Sequence, residues 1–168
     1  MRYIIRLETP SDIAAIHDVT VAAFQYVPDT DHTEPFIVKA LREASALTIS
    51  LVAEESDVII GHVAVSPVTI SDGTTGWYGL GPISVSPVFQ RQGIGSALMR
   101  SALQKLLELG AAGCVLLGDP AYYSRFGFEA KPSLKLANVP PEYFQALSFG
   151  VSIPHGAVTY HDAFNVKG

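Results

Sequence analysis

Hydrophobic and polar positions follow two rhythms along this chain, and the switch between them divides it into elements. Residues 3–7 alternate and predict a strand. Thr9-Pro10-Ser11-Asp12 is a helix-start signal, and Ile13, Ile16, Val19, Thr20 and Ala23 continue it as a helical stripe. Residues 24–35 read as a loop and residues 36–44 as a second, shorter helix. Residues 47–54 and 58–68 read as strands joined by a hairpin turn at Glu55-Ser56-Asp57. After a turn at residues 71–76, Trp77 starts a central strand. Ile83 and Val85 carry that strand to Pro87, which cannot donate to a ladder.

Helical spacing returns with Ile94, Leu98, Ala102, Leu106 and Leu109. Ser96, Arg100, Gln104 and Glu108 form a polar row of the same helix, so one side faces water. Gly110 and Gly113 bracket its stop. Residues 114–117 are a continuous apolar run, expected to be buried on both faces. Gly118-Asp119-Pro120 breaks the run, residues 121–126 form a helical turn, and Phe128 begins another strand. In the tail, Pro140-Pro141-Glu142-Tyr143-Phe144 reads as a helix start and residues 157–160 as a last strand. Strands clustered before a helix, then a strand–helix–strand unit, imply an α/β fold: a mixed sheet with helices on both faces.

Composition narrows the classes. The 168 residues are 48% hydrophobic and 16% charged, with mean hydropathy +0.28, which is a folded chain with a real core. A net charge of -5 without any basic run argues against nucleic acid as a partner. It is compatible with a cationic amine. Cys114 stands alone, so no internal disulfide forms, and its apolar strand makes it a buried small hydrophobe. The five histidines show no zinc spacing, so no metal is expected. No signal segment is visible and no apolar run reaches the ~18 residues of a membrane span. A soluble cytoplasmic protein is the expectation.

Candidate chemistry sits in Gln90-Arg91-Gln92-Gly93-Ile94-Gly95-Ser96, between a strand and an amphipathic helix. A helix start leaves N–H groups unpaired and carries partial positive charge. Glycines let a ligand approach the backbone, and Arg91 adds a charged fork. The pattern suits a phosphate or diphosphate. It is not a P-loop, because Ser96-Ala97 follows Gly95 in place of Gly-Lys-Ser/Thr. A dinucleotide fingerprint matches at Gly93, Gly95 and, at the end of the next strand, Asp119. It fails at Leu98, its third small position, and its glycines come well after the strand.

Val85-x-Pro87-x-x-Gln90-Arg91-Gln92-Gly93-Ile94-Gly95-Ser96 resembles the acyl-CoA signature of the GNAT acetyltransferase superfamily. Tyr123-Ser-Arg-Phe-Gly127-Phe128 resembles a second feature of the same family, and the likeness runs from about Ile4 to Glu129. The resemblance implies one acetyltransferase-like domain over residues 1–168, with a core at 3–129 and a tail at 130–168 completing the sheet and the substrate side. It implies a mostly antiparallel twisted sheet with a splayed central strand pair. It implies acetyl-CoA as cosubstrate, with its diphosphate at Arg91, Gln92, Gly93, Ile94, Gly95 and Ser96 and its pantetheine arm along the backbone of Ile83, Ser84 and Val85.

Acetyl transfer to an amine needs a held thioester, a neutral amine, an oxyanion donor and a proton for the leaving thiolate. The natural oxyanion donor is the N–H of Val85 or a neighbour. Tyr123 matches the family tyrosine and is the candidate acid, with Tyr122 as competitor. A phenol of pKa ~10 can protonate a thiolate of thiol pKa ~8.5. Both tyrosines could equally be aromatic packing. For the base, some family members use the central strand, where this chain has Gly79 and Gly81. His62, Glu34, Asp119 and a water chain stay open, His62 for its intrinsic pKa. A hydrogen-bonded strand histidine and a first-turn helix acid are their plain structural alternatives. The leading activity is N-acetylation by direct attack in a ternary complex, and the alternative is a non-catalytic acyl-CoA-binding sensor or partner module. An exposed edge strand near the tail leaves a homodimer open.

Overall fold

The computed structural model describes residues 2–28, 30–150 and 152–167. In chain order the elements are β1 (Ile4–Leu7), α1 (Ile13–Phe24), α2 (Glu34–Glu43), β2 (Ile49–Glu55), β3 (Val58–Ile70) and β4 (Trp77–Val85). Then follow α3 (Ile94–Glu108), β5 (Gly113–Leu117), α4 (Pro120–Tyr123), β6 (Leu134–Lys135), β7 (Phe144–Ser148) and β8 (Gly156–Tyr160). The strands form one sheet in the order β1-β2-β3-β4-β5-β7, with β8 on the end of β3 and β6 on β8. Among the described residues, only β4–β5 and β6–β8 pair in parallel.

The thirteen-residue β3 is the spine. Its first part lies between β2 and β4, and Val68, Thr69 and Ile70 pair with β8. Successive side chains point to opposite faces. Val63 and Val65 join the larger core with Leu51, Leu80 and the Ile94, Leu98, Met99, Ala102 and Leu106 stripe of α3. Ala64 packs with Val52 beneath Ile16 of α1 and Val38 of α2. So α3 covers one face, and α1 with α2 covers the other. Gly61 sets the depth of α3, since a Cβ there would stand 3.1 Å from Leu98 Cδ1.

The start of α1 is fixed by charge. Asp12 accepts a hydrogen bond from the Thr9 N–H at 2.7 Å and receives the Arg6 fork at 2.7 and 3.0 Å. Arg6 also reaches Glu54 of β2, so β1, β2 and α1 share one cation. The Arg6 guanidinium holds the Asp12 carboxyl well below the usual carboxylate range.

The structure corrects several expectations. α2 starts at Glu34, two residues early, because Pro35 fits a first turn where no N–H partner is needed. β3 runs on to Ile70 because β8 supplies a further ladder. Leu109 lies past the end of α3 and is 57% exposed, and Met99 takes a buried place instead. Leu117, at the end of β5, is 43% exposed, so that strand is covered on both faces only as far as Leu116. Phe128 is buried but starts no strand, since only Glu129 bridges to Ala146. The helix start expected at residues 140–144 is a single 3-10 turn, Pro141–Tyr143, and Phe144 opens β7. There the β5 ladder and the burial of Phe144, Gln145 and Ala146 outweigh the local helix-start signal. Asp29, within the expected loop, lies outside the described residues.

Leu98 touches both the helix and the glycine gap of β3. Leu98→Ala is expected to lower stability by about 2–5 kcal/mol in urea unfolding, from lost burial plus the cavity left behind.

Candidate active site

The geometry of the site begins where the β4–β5 ladder ends. Trp77, Tyr78 and Gly79 pair with Gly113, Cys114 and Val115. Leu116 and Leu117 pair only with Gln145 and Phe144 of β7. From Leu80 onward β4 keeps β3 alone as partner among the described residues. A bulge accompanies the divergence: Val65 pairs with Leu80 and Val63 with Ile83, so Ala64 faces both Gly81 and Pro82. Ile83, Ser84 and Val85 thus lie on a strand whose second edge is open.

A cradle of N–H groups follows. Among the described residues, no backbone hydrogen bond engages the N–H of Arg91, Gln92, Gly93, Ile94, Gly95 or Ser96. Gly93 is the N-cap of α3 at φ 86°, a conformation that glycine adopts without strain, and no side chain caps the helix. The partial positive end of a fifteen-residue helix therefore opens on bare backbone. The Gln90 side-chain amide donates to the Val85 carbonyl at 3.0 Å and ties this loop to the end of β4. Sequence reasoning missed that tie. Arg91 is exposed beside the cradle.

α4 brings two tyrosines to the same end of the sheet. The Tyr122 hydroxyl shares a 3.1 Å hydrogen bond with Ser96 Oγ, and Arg125 lies 4.3 Å over the Tyr122 ring. Tyr122 is thereby committed to fastening α4 onto α3. Tyr123 stands edge-on to Tyr122, with ring centroids 4.8 Å apart. Its ring occupies the space at Gly118, where a Cβ would come within 2.2 Å of it. Burial first, then Tyr122 and Asp119, raise the Tyr123 pKa, so this phenol keeps its proton at neutral pH.

His62 lies between Val52 and Ser84 across its two neighbouring strands, wholly buried on the α1–α2 face. Its Nε2 and Ser50 Oγ are 2.8 Å apart. The Ser50 hydroxyl donates to Glu8, and Arg42 forks onto Glu8 at 2.8 and 3.0 Å. Burial drives the His62 pKa down to about 4, against an upward pull from Glu8. The imidazole is therefore neutral at physiological pH. His62 Nδ1, Ser84 Oγ, Ser66 Oγ and Glu34 Oε1 are buried without a hydrogen-bond partner among the described residues. The other Glu34 oxygen accepts from Thr30. Asp119 is engaged as the cap of α4, accepting from the Ala121 N–H at 2.9 Å.

Gly79 has no room for a side chain. A Cβ there would stand 2.7 Å from Tyr160 Cε1 and 3.2 Å from Val68 Cγ1. Tyr160, from the hard-to-read tail, thus covers the last residue of β4 that pairs with β5. The only signal in the sequence is the missing side chain at Gly79. Among the described residues, no cluster of three or more His, Cys, Asp or Glu is placed to hold a metal ion. No helix among them is long and apolar enough to cross a membrane.

Comparison with known proteins agrees with this fold. The family model described as "Acetyltransferase (GNAT) family" matches residues 13–128. An uncharacterized N-acetyltransferase, YhbS of Escherichia coli K12, is 39% identical over 127 residues, which cover 75% of this chain and 73% of that protein. The solved structure of a GNAT family acetyltransferase from Brucella melitensis in complex with acetyl-CoA is 51% identical, with a TM-score of 0.88 over 97% of this chain and 98% of that one. The structure of E. coli YhbS in complex with CoA is 34% identical, with a TM-score of 0.91 over 100% of this chain and 94% of that one.

The buried histidine has a consequence for stability. An unfolded imidazole titrates near 6.5 and the folded one near 4, so between these values only the unfolded state takes up the proton. The contribution is complete above pH ~6.5 and is lost as pH falls toward ~4. Urea unfolding should show about 2 kcal/mol lost between pH 7 and pH 5 from this group. His62→Gln should remove that component, and an identical loss in the variant would assign it elsewhere.

Proposed function

The chain belongs to the GNAT family of acetyltransferases, and on that footing we propose that it moves an acetyl group from acetyl-CoA to an amine by direct attack in a ternary complex. The observation that carries this reading is the run of six N–H groups at the start of α3 that no backbone acceptor engages among the described residues, next to a strand edge without a partner among them. We read the tail beyond residue 129 as part of the same domain, a reading supported by the pairing of β7 and β8 with the central sheet.

Acetyl-CoA supplies the acetyl group as an activated thioester. The N–H groups of Arg91, Gln92, Gly93, Ile94, Gly95 and Ser96 bind the diphosphate, helped by the helix dipole and the Arg91 charge. The open edge at Ile83, Ser84 and Val85 pairs with the amides of the pantetheine arm. This aims the Val85 N–H, or that of a neighbour on the strand, at the developing oxyanion. Tyr123 gives its proton to the departing sulfur. The commitment of Tyr122 to Ser96 favours Tyr123 for this role, and burial keeps the Tyr123 phenol protonated at neutral pH.

Three side chains compete for the amine. Glu34 retains an unpartnered carboxylate oxygen and is assigned to the acceptor's ammonium group. Asp119 is occupied by its capping bond. His62 has no exposed surface and stays neutral down to about pH 4, so it serves as the buried partner of Ser50 rather than as the proton acceptor. The amine proton leaves through water.

Tyr123→Phe should lower kcat by about a hundredfold or more while leaving the Kd for acetyl-CoA unchanged, read by thiol release and calorimetry. Unchanged turnover removes the acid role. Gly93→Asp and Gly95→Asp should each abolish acetyl-CoA uptake in calorimetry, by placing a carboxylate against the diphosphate. Tight uptake by the wild type with no thiol release on any amine would identify a non-catalytic carrier-binding module instead.

A further inference from the structure

Resting on the acetyl-transfer reading, we propose that Tyr160 is an acceptor-binding residue, its phenol touching the attacking amine at the mouth of the β4–β5 gap. The placement follows from the topology. β8 docks on the end of β3, with Tyr160 opposite Val68. From there the Tyr160 ring crosses β3 and lies over Gly79 of β4, with Cε1 2.7 Å and Cδ1 3.1 Å from where a Cβ would be. Gly79 is the last β4 residue to pair with β5, at Val115. The ring therefore stands at the point where the two strands part.

Direction of approach makes this position matter. The α3 face is filled by the stripe of α3 and by Tyr122 and Tyr123 packed against it. The carrier's diphosphate is assigned to that side, at the start of α3. An acceptor must then reach the thioester from the α1–α2 face. On that face β4 has no side chain at Gly79, and the residue paired with it is Ser66, whose buried hydroxyl has no partner. Glu34, with its unpartnered oxygen, opens the helix that covers the same face. The Tyr160 ring supplies there the side chain that β4 lacks.

The ring is also held as a positioned group. Phe164 stacks against it at 5.0 Å between centroids, and Phe164 and Ala163 pack on Ile37 and Leu41 of α2. Burial raises the Tyr160 pKa well above its ordinary value. The phenol therefore stays neutral at working pH and can accept a hydrogen bond from an amine N–H without becoming charged. The acceptor class is a primary amine, whose N–H can donate to the phenol oxygen.

The test is Tyr160→Phe, which keeps the ring and removes only the hydroxyl. Wild type and variant are assayed by thiol release with acetyl-CoA and a panel of spermidine, cadaverine, tyramine, lysine methyl ester and glucosamine. The best acceptor is also titrated calorimetrically into the CoA-bound protein. Expected is a five- to tenfold rise in the acceptor's KM and Kd, the worth of one hydrogen bond, with the acetyl-CoA Kd unchanged. Gly79→Ala, which pushes the ring away, should raise the same KM. Acceptor constants unaltered in Tyr160→Phe would overturn the proposal and leave acetyl transfer standing. A wild type that binds acetyl-CoA but acetylates no amine in the panel would overturn the transfer reading and this proposal with it.

Discussion

The constraint behind this site is the early end of one parallel ladder. β4 and β5 hold together for three residue pairs and then part, because β5 turns to β7 while β4 bulges against β3 at Gly81 and Pro82. Backbone polar groups inside a folded domain are costly when unpaired. A strand edge left open from Leu80 to Val85 is therefore a place where another extended, amide-bearing chain gains hydrogen bonds at little conformational cost. Pro82, which has no N–H, stands where the ladder is already disturbed.

A second set of backbone groups is held in fixed relation to that edge. α3 lies close on β3 because Gly61 leaves room for Leu98 and Ile94. That packing brings the bare start of α3 to the end of β4, and the Gln90 amide locks the intervening loop to the Val85 carbonyl. The carrier would thus be recognised almost wholly by main chain. Such recognition tolerates wide side-chain variation, and the side chains that do chemistry are added to it one at a time.

This division explains what could be read in the sequence. The strand, the glycine pair and the helix around residues 83–106 were legible because a backbone site needs local geometry, and local geometry is written in spacing and glycines. Leu109 and Leu117 were misjudged because periodicity shows which face a residue occupies but not whether a neighbour covers it. β7 was hidden because its strand character comes from pairing with β5, thirty residues earlier in the chain, against a local helix-start signal. His62 could be marked as titratable from its type alone. Its neutrality comes from full burial, which outweighs the upward pull of Glu8, and sequence spacing contains neither. Tyr160 was invisible as anything but a strand residue, since its contact with Gly79 spans eighty-one positions.

The two faces of the sheet follow the same division. Under α3 the core is almost wholly apolar, with aliphatic side chains from β2, β3, β4 and α3 in close contact. Beneath α1 and α2, polar groups sit among the apolar ones: Ser50, His62, Ser66 and Ser84 are buried on strands there, and three of the four leave an atom unpartnered. Buried polar atoms without partners are rare in native folds and mark places where something else completes them. They lie on the face where an acceptor would meet the thioester, together with Glu34 and Tyr160. The match to the family model ends at Phe128, so it contains the proposed cradle for the carrier but not Tyr160. On the proposed reading, donor binding is a property of one contiguous, locally encoded segment. On the same reading, acceptor choice rests on a helix start and a tail strand that only the folded sheet brings together, and it can change without disturbing how the donor is held.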